Sequence, residues 1–190
     1  MTTASDIDPA VVAGGIDPKR FRDLMARVCA PVTIVTTTDG DGPHGATASS
    51  FAALSQDPPL VTVAFDRRSA LLARIVATGR FGVNLLHHGQ DDLAMRFASR
   101  GTGGERFAGT PWHTDTGLPR VDDAAGWVSC ELYNTVDGGD HLLLIGLVTK
   151  ACNVERPPLV YANRTFGTHS RFSERPRRPI VDHITACTSD

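Results

Sequence analysis

The sequence lacks the features that mark several large classes of protein. Its 190 residues carry a formal net charge of −2 and a pI of about 6.4, so no general basic field is present to attract nucleic acid or an anionic membrane. No apolar stretch approaches the roughly 18 residues of a membrane-spanning helix. Residues 1–15 include acidic but no basic side chains, which is not the pattern of a signal peptide. These absences predict an ordinary soluble protein of the cytoplasm.

Cysteine is scarce, with four residues in the chain. Cys29, Cys130, Cys152 and Cys187 form no Cys-x-x-Cys pair, so we expect neither a zinc knuckle nor a dithiol redox site. Cys130 and Cys152 lie inside apolar runs, and we predict that they are small buried side chains in a reducing compartment.

Two further binding motifs are missing. No Gly-x-Gly-x-x-Gly follows a strand and opens a helix, because the glycine-rich run at 101–104 lies between a predicted helix and irregular chain. Any dinucleotide must therefore bind without a Rossmann unit.

His87 and His88 are adjacent, so their side chains diverge, and no carboxylate or thiol stands at a matching spacing. We predict no metal site.

What the sequence does contain is a pattern of many strands and few helices. Apolar residues at helical spacing predict helices, and β-branched or alternating runs predict strands. The predicted helices are 18–29, 70–78 and 91–99, and the predicted strands are 32–38, 45–54, 60–65, 81–86, 127–136, 141–153 and 159–163. Residues 101–120 are predicted to be irregular.

This order of elements predicts a single mainly β domain. Hairpin-linked strands with a few flanking helices are typical of an antiparallel barrel. We expect the domain to cover residues 17–172. Residues 1–16 are predicted to form a flexible N-terminal tail, and residues 173–190, which are rich in proline and arginine, a C-terminal tail or arm.

A ribbon of small and hydroxyl side chains at 45–54 could hold a flat ring. Thr47 and Ser49 are predicted to face one side of a strand and Ser50 the other. The interleaved alanines, Ala48 among them, would let a ring approach the backbone. The same composition also suits an edge strand with no ligand, and residue chemistry alone favours that interpretation.

Two other segments could carry chemistry. Arg67, Arg68 and Ser69 stand at the predicted start of a helix, where free N–H groups, the helix dipole and guanidinium groups favour an anion. A solvated basic turn with an ordinary serine cap is the alternative. His141 opens an apolar strand after Gly139 and Asp140, where a structural histidine is more common than a functional one. We do not expect Asp140 to bond His141 directly, since neighbours on a strand point opposite ways.

Taken together, six segments in one order resemble the flavin reductase family, from about residue 21 to residue 171. They are 32–37 (Val-Thr-Ile-Val-Thr-Thr), 47–50 (Thr-Ala-Ser-Ser), 57–61 (Asp-Pro-Pro-Leu-Val), 81–86 (Phe-Gly-Val-Asn-Leu-Leu), 139–141 (Gly-Asp-His) and 158–161 (Pro-Leu-Val-Tyr). The resemblance implies a split β-barrel of the Greek-key, FMN-binding type, and a homodimer with flavins near the subunit interface. It also implies hydride transfer from NADH or NADPH to FMN, or to FAD, and supply of reduced flavin to a partner monooxygenase.

The resemblance also implies roles for particular residues. His141 would lie beside the flavin as the catalytic residue and contact the pyridine nucleotide, with Arg164 and Phe166 near the same nucleotide. The flavin-binding residues would be Thr47, Ala48, Ser49, Ser50, Ser55, Ala64, Phe65, Arg67, Ser69 and Phe107.

Two other functions remain open on the sequence. A split-barrel protein could hold a flavin without turnover, although Gly139-Asp140-His141 argues against such a carrier. A pyridoxamine phosphate type of oxidase would need a basic cluster beyond the Arg67-Arg68 pair. The predicted function is therefore an NAD(P)H:flavin oxidoreductase, with the non-catalytic flavin-binding protein as the alternative.

Overall fold

A computed structural model describes residues 15–99, 101 and 103–169 of the chain. The helices in these ranges are α1 (Pro18–Met25), α2 (Ala70–Thr78), α3 (Asp91–Ala98) and α4 (Gly103–Phe107). The strands are β1 (Ala30–Pro31), β2 (Thr33–Asp39), β3 (Gly42–Ala48), β4 (Ala52–Gln56), β5 (Pro59–Asp66), β6 (Arg80–Leu85), β7 (Trp112–Asp115), β8 (Leu118–Val121), β9 (Gly126–Gly138), β10 (His141–Asn153), β11 (Leu159–Ala162) and β12 (Thr165–Thr168). The prediction of a mainly β fold is confirmed.

The main sheet has seven strands in the order β3-β2-β6-β9-β10-β5-β4, and every neighbouring pair is antiparallel. Its edge strands β3 and β4 are joined by only residues 49–51. A flat sheet of this size would hold its edges about 29 Å apart, whereas the four Cα steps from Ala48 to Ala52 span at most ~15 Å. The sheet must therefore curl until its edges approach, and the 49–51 connection marks where they meet.

Two apolar clusters hold the structure together. The first lies between the curled sheet and α2, where Leu71, Leu72 and Ile75 are buried against Val63 and Phe81. The second lies under α3 and α4 and joins them to β2, β8 and β11. In the described residues, α2 follows its sequence signals closely: the Ser69 side chain accepts from the Leu72 N–H, and Gly79 ends the helix with a φ of 68°.

The strand predicted over residues 45–54 is wrong in its extent. It divides into β3 and β4, and Ser49 and Ser50 lie in the bend between them. The alternation that would place Thr47 and Ser49 on one face therefore stops at Ala48. The sharp reversal is needed because this connection closes the curled sheet.

Residues 101–120 are also more regular than predicted. They contain α4 and the β7–β8 hairpin, whose turn has Thr116 and Gly117 at positive φ. Such a turn matches the twist of an antiparallel pair. The sequence does not predict β7 and β8 because Pro111 directly precedes the first and Pro119 lies within the second. The β11–β12 hairpin turns in the same way at Asn163 and Arg164.

Helix α1 is shorter than predicted and ends at Met25, with Ala26 as its C-cap. None of its residues is buried. The predicted tails lie almost wholly outside the described residues: 1–14 at the N-terminus and all of 173–190. Among the helices of the described ranges, none combines the length and the apolar character that crossing a membrane requires.

The cysteines divide by position. Cys130 is buried, as predicted, and burial raises the pKa of its thiol to about 12. Cys152 is half-buried, while Cys29 is exposed just after α1, and all three are free thiols. Cys187 lies outside the described residues.

Candidate functional site

A small cavity of about 310 Å³ lies where the edges of the curled sheet meet. Its walls come from the end of β3, the bend after it, the end of β5 and the first residue of β10. The lining residues are Thr47, Ala48, Ser49, Ser50, Ala64, Phe65, Asp66 and His141. All of these except Asp66 were predicted from the sequence as flavin or nucleotide contacts, so segments about 90 residues apart along the chain are brought together.

The walls of this cavity are fixed by hydrogen bonds. The Ser50 hydroxyl accepts from the Ala64 N–H and donates to the Ala64 carbonyl oxygen, both at 3.0 Å. The Thr47 hydroxyl donates to the Ala94 carbonyl oxygen of α3 at 2.6 Å. These bonds leave a wall of small side chains and backbone, which suits the close approach of a planar ring.

His141 stands at the mouth of the cavity, paired across the sheet with Gly138 and Asp66. Its Nδ1 lies 2.7 Å from Oδ1 of Asp140, so the expectation that these two residues would not bond is wrong. Asp140 belongs to the turn before β10 rather than to the strand, and Gly139 has a φ of 71° there, so strand alternation does not apply. A carboxylate only accepts, so Nδ1 carries the hydrogen and Nε2 is left for another partner.

Asp66 adds a negative charge beside His141. The Arg68 side chain, followed by its backbone N–H, lowers the pKa of Asp66 well below its usual range. The sequence gives no particular signal for this residue, because an aspartate at a strand end is usually a turn residue.

A second, larger cavity of about 840 Å³ shares Thr47 with the first. It is built from β3, the N-terminal half of α2, the end of α3 and the start of α4. Its lining residues are Asp41, His44, Gly45, Ala46, Thr47, Ser69, Ala70, Leu71, Arg74, Phe97, Ala98, Gly101, Gly103, Gly104 and Arg106. Ser69 was predicted to lie at an anion site, and it lines this cavity with the first turn of α2.

Positive charge in the larger cavity comes from Arg74 and Arg106, which sequence reasoning missed. The Arg106 guanidinium donates to Gly45 O at 2.8 Å and to Ser99 O at 2.6 Å, while its Nε is buried without a partner. Ala70 and Leu71 lie in the first turn of α2, where a helix supplies no acceptor for the backbone N–H. A guanidinium group beside free helix N–H groups is an arrangement that favours a phosphate.

Arg74 is held by a carboxylate cluster at the rim. It is ion-paired with Asp39 and, at 3.2 Å, with Asp41, and His44 Nε2 lies 2.9 Å from Asp39. Removal from water would raise the pKa of Asp39, but hydrogen bonds from the Asp41 N–H, His44 and Arg74 outweigh this and lower it to about 2. Asp39, Asp41 and His44 have ligand atoms within 4.8 Å of one another, and Arg74 supplies positive charge to this cluster.

The two arginines next to Ser69 lie elsewhere. Arg67 donates from Nε to the Gly139 carbonyl oxygen at 2.9 Å and from Nη2 to Asp137 at 2.6 Å. Arg68 turns back onto Asp66. Neither of them lines the cavity that contains Ser69.

Besides Arg67, two further predicted flavin contacts line neither cavity. Phe107 is 4% exposed and packs edge-on against Phe97 and Trp112, with ring centroids 4.9 Å and 5.3 Å apart. Ser55 lies on the edge strand β4 opposite Leu60.

The predicted nucleotide contacts Arg164 and Phe166 also lie away from these cavities, on the β11–β12 hairpin. Arg164 donates to Asp23 of α1 at 2.6 Å. Phe166 packs on Tyr161 with ring centroids 5.3 Å apart. The structure does not bring them to His141 within this chain.

Comparison with known proteins agrees with the geometry. Residues 25–170 match the flavin reductase like domain. The chain is 39% identical over 163 residues to the reductase subunit HsaB of a flavin-dependent monooxygenase from Rhodococcus jostii, covering 84% of this chain and 83% of that protein. It is 38% identical over 174 residues to an NADH:riboflavin 5′-phosphate oxidoreductase from Streptomyces pristinaespiralis, covering 88% and 95%.

A solved structure gives the same result for the fold. Component B of a nitrilotriacetate monooxygenase from Mycobacterium thermoresistibile superposes with a TM-score of 0.80 at 34% identity, covering 90% of this chain and 94% of that one. The predicted split-barrel fold is therefore confirmed. Since the domain match and these relatives cover most of the chain, the protein belongs to the flavin reductase family.

Proposed function

We propose that this protein uses NADH or NADPH to reduce FMN, with FAD as a further acceptor, and supplies the reduced flavin to a partner monooxygenase. The observation that carries the proposal is the small cavity, where the Thr47–Ser50 run, Ala64 and His141 converge. Small side chains beside one oriented histidine suit a flat redox ring that must remain open on one face. Relatives named as reductase components of monooxygenases support the supply role.

In this proposal the flavin ring lies in the small cavity and its phosphate in the larger one. Thr47 lines both, so a ring against the 47–50 backbone would direct its ribityl chain past this residue. The phosphate would then meet Ser69, the first N–H groups of α2, and the guanidinium groups of Arg74 and Arg106. Recognition of the phosphate is therefore separate from recognition of the ring in this arrangement.

The chain's own residues need to align two planar rings rather than move a proton. A bound flavin supplies the site that accepts a hydride from nicotinamide C4, and such a transfer needs close approach rather than a general base. His141 would orient the nicotinamide: with Nδ1 donating to Asp140, Nε2 of the neutral ring accepts from a carboxamide N–H, and Nε2 of the protonated ring donates to its oxygen.

A homodimer and a cytoplasmic location are further parts of this proposal. Leu54 on the edge strand β4 and Tyr133 on β9 are 52% and 59% exposed, and large apolar side chains on a sheet surface favour contact with another copy. The free thiols among the described cysteines fit a reducing compartment that also supplies NADH.

The test is NADH and NADPH oxidation by the purified protein with FMN, FAD, riboflavin or no added flavin. The proposal predicts oxidation that depends on added flavin. Binding of flavin without oxidation of either nucleotide would leave a non-catalytic carrier. Activity with FMN and riboflavin alike would show that the ring alone is sufficient for turnover.

A further inference from the structure

We propose that Arg67 is a positioning residue that holds the β9–β10 turn so that His141 is aligned over the flavin ring. This inference rests on the proposed function, because it assigns Arg67 a part in orienting the nicotinamide. It differs from the sequence-based expectation, in which Arg67 would bind the flavin phosphate.

Arg67 makes three hydrogen bonds at the β9–β10 turn, two to its residues Gly139 and Asp140 and one to Asp137 near the end of β9. Its backbone N–H donates to Asp140 O at 3.0 Å, its Nε to Gly139 O at 2.9 Å and its Nη2 to Asp137 Oδ1 at 2.6 Å. The adjacent Nε–H and Nη2–H of a guanidinium form a planar fork that reaches two acceptors at once. A lysine ammonium carries no such fixed pair, so it could not reproduce both side-chain bonds.

Hydrogen bonds from Arg67 are needed to fix this turn because it projects into solvent. The side chains of Asp137 and Asp140 are 65% and 89% exposed, and a Cβ added to Gly139 would meet nothing within 4 Å. No apolar packing therefore fixes the turn laterally at Gly139. Its bonds to Arg67 connect it to the β5–α2 segment, which also carries Ser69.

The same turn orients His141. Asp140 accepts from the Arg67 backbone through its carbonyl oxygen and from His141 Nδ1 through its carboxylate. The ring angle of His141 therefore depends on where Asp140 is held. The Arg67 side chain acts on Asp140 through Gly139 and Asp137, because the backbone bond to Asp140 remains when the side chain is replaced. A shift of about 1 Å in a positioning group can cost up to ~100-fold in rate, so a loosened turn should matter for nicotinamide alignment.

The phosphate role does not fit this geometry. The Nε and Nη2 groups of Arg67 are committed to the turn, and Arg67 does not line the cavity that contains Ser69 and Arg74. An anion there would have to draw the guanidinium away from Gly139 and Asp137.

The experiment compares Arg67→Ala and Arg67→Lys with Arg156→Ala. Arg156 is a matched control, since it is also a half-exposed arginine paired with one aspartate, Asp123, at 3.1 Å. Amide hydrogen exchange of residues 137–141 is measured without flavin, so this readout does not depend on activity. We expect faster exchange in both Arg67 variants and unchanged exchange in Arg156→Ala.

Kinetics with NADH provide the second readout. Arg67→Ala should lower kcat/KM for NADH by about tenfold, while the Kd values for FMN and riboflavin stay unchanged. In a His141→Ala background, Arg67→Ala should cause no further loss, because it acts through that ring. A fully multiplicative loss in the double variant, or unchanged exchange at 137–141, would overturn the proposal.

The remaining outcomes are also decisive. If Arg67→Ala weakens FMN more than riboflavin, Arg67 binds the phosphate and the inference is wrong. If Arg67→Ala does not fold, Arg67→Lys and Asp137→Asn carry the test. Arg67→Lys loses the fixed pair of side-chain donors, and Asp137→Asn loses the carboxylate charge that strengthens one of the two bonds, so each should lower kcat/KM for NADH by a smaller factor. If the wild type oxidises no nucleotide with any flavin, the proposed function has failed, whereas the exchange result still stands on its own.

Discussion

The two cavities that meet at Thr47 differ in almost every chemical respect. The smaller one is walled mainly by small side chains and Phe65, with His141 at its mouth and the Asp66 carboxylate beside that histidine. The larger one has two arginines, a histidine and a helix N-terminus in its wall, with one carboxylate, Asp41, paired to Arg74. A neutral ring is held by shape and close approach, whereas an anion is held by charge and N–H groups. Changes in one cavity should therefore affect hydride transfer, and changes in the other the affinity for phosphate.

The largest effect is expected in the smaller cavity. His141→Ala should lower kcat/KM for NADH by about 10- to 100-fold, the loss of one strong hydrogen bond to the bound nucleotide. Flavin affinity should change little, because the ring wall is formed by other residues. Steady-state kinetics with NADH and a flavin titration measure the two quantities. A collapse of flavin affinity with a normal rate per bound flavin would make His141 a flavin contact instead.

Arg74→Met should have the next largest effect, in the larger cavity. Loss of a guanidinium near the phosphate should weaken FMN by about tenfold or more, and riboflavin, which lacks the phosphate, should bind as before. Fluorescence titration of both flavins is the measurement. Equal weakening of the two would indicate that Arg74 only supports the fold through Asp39.

Ser69→Ala should have a smaller effect and weaken the affinity for FMN by roughly tenfold at most. The serine also caps α2 by accepting from Leu72 N–H, so thermal stability should fall as well. A cap lost without a phosphate contact would lower the melting temperature and affect FMN and riboflavin alike. Ser99→Ala, which removes another hydroxyl at a helix end, is the control.

The smallest expected effect concerns pH and the cluster at the rim of the larger cavity. Since the pKa of Asp39 is lowered from 3.8 to about 2, its charge stabilises the fold above its ordinary pKa, and this contribution is lost as the pH falls through about 2. The difference in Tm between wild type and Asp39→Asn should be present at neutral pH and should close toward pH ~2. Thermal unfolding across this range measures it, and a difference that stays constant would contradict the assignment.

The difference between the two cavities also explains which parts of the candidate site were predictable from the sequence. The smaller cavity uses short continuous segments, such as Thr47–Ser50 and Asp140-His141, so their order along the chain points to it. The larger cavity depends on how α2 and α4 dock on β3. Arg74 is one cation in an apolar helix, and Arg106 follows a glycine run. The sequence does not indicate that either side chain lines the cavity, because this depends on how α2 and α4 pack.

Local geometry explains the other sequence-based predictions that the structure corrects. Asp140 bonds His141 because a turn, not a strand, carries it, and alternation gives the opposite answer. Arg67 is indistinguishable from Arg68 in sequence, yet their guanidinium groups contact different elements. Strand and helix positions followed from periodicity in most places. The 45–54 run failed because closure of a curled sheet, rather than residue propensity, broke it.

The most direct test of flavin reduction by this protein is the anaerobic absorbance of FMN bound to the purified protein before and after addition of NADH. The oxidised flavin band should bleach, bleaching should be slower in His141→Ala at equal flavin occupancy, and Arg74→Met should bleach at the wild-type rate once FMN is saturating. FMN that binds and is not bleached by NADH or NADPH would contradict flavin reduction by this protein.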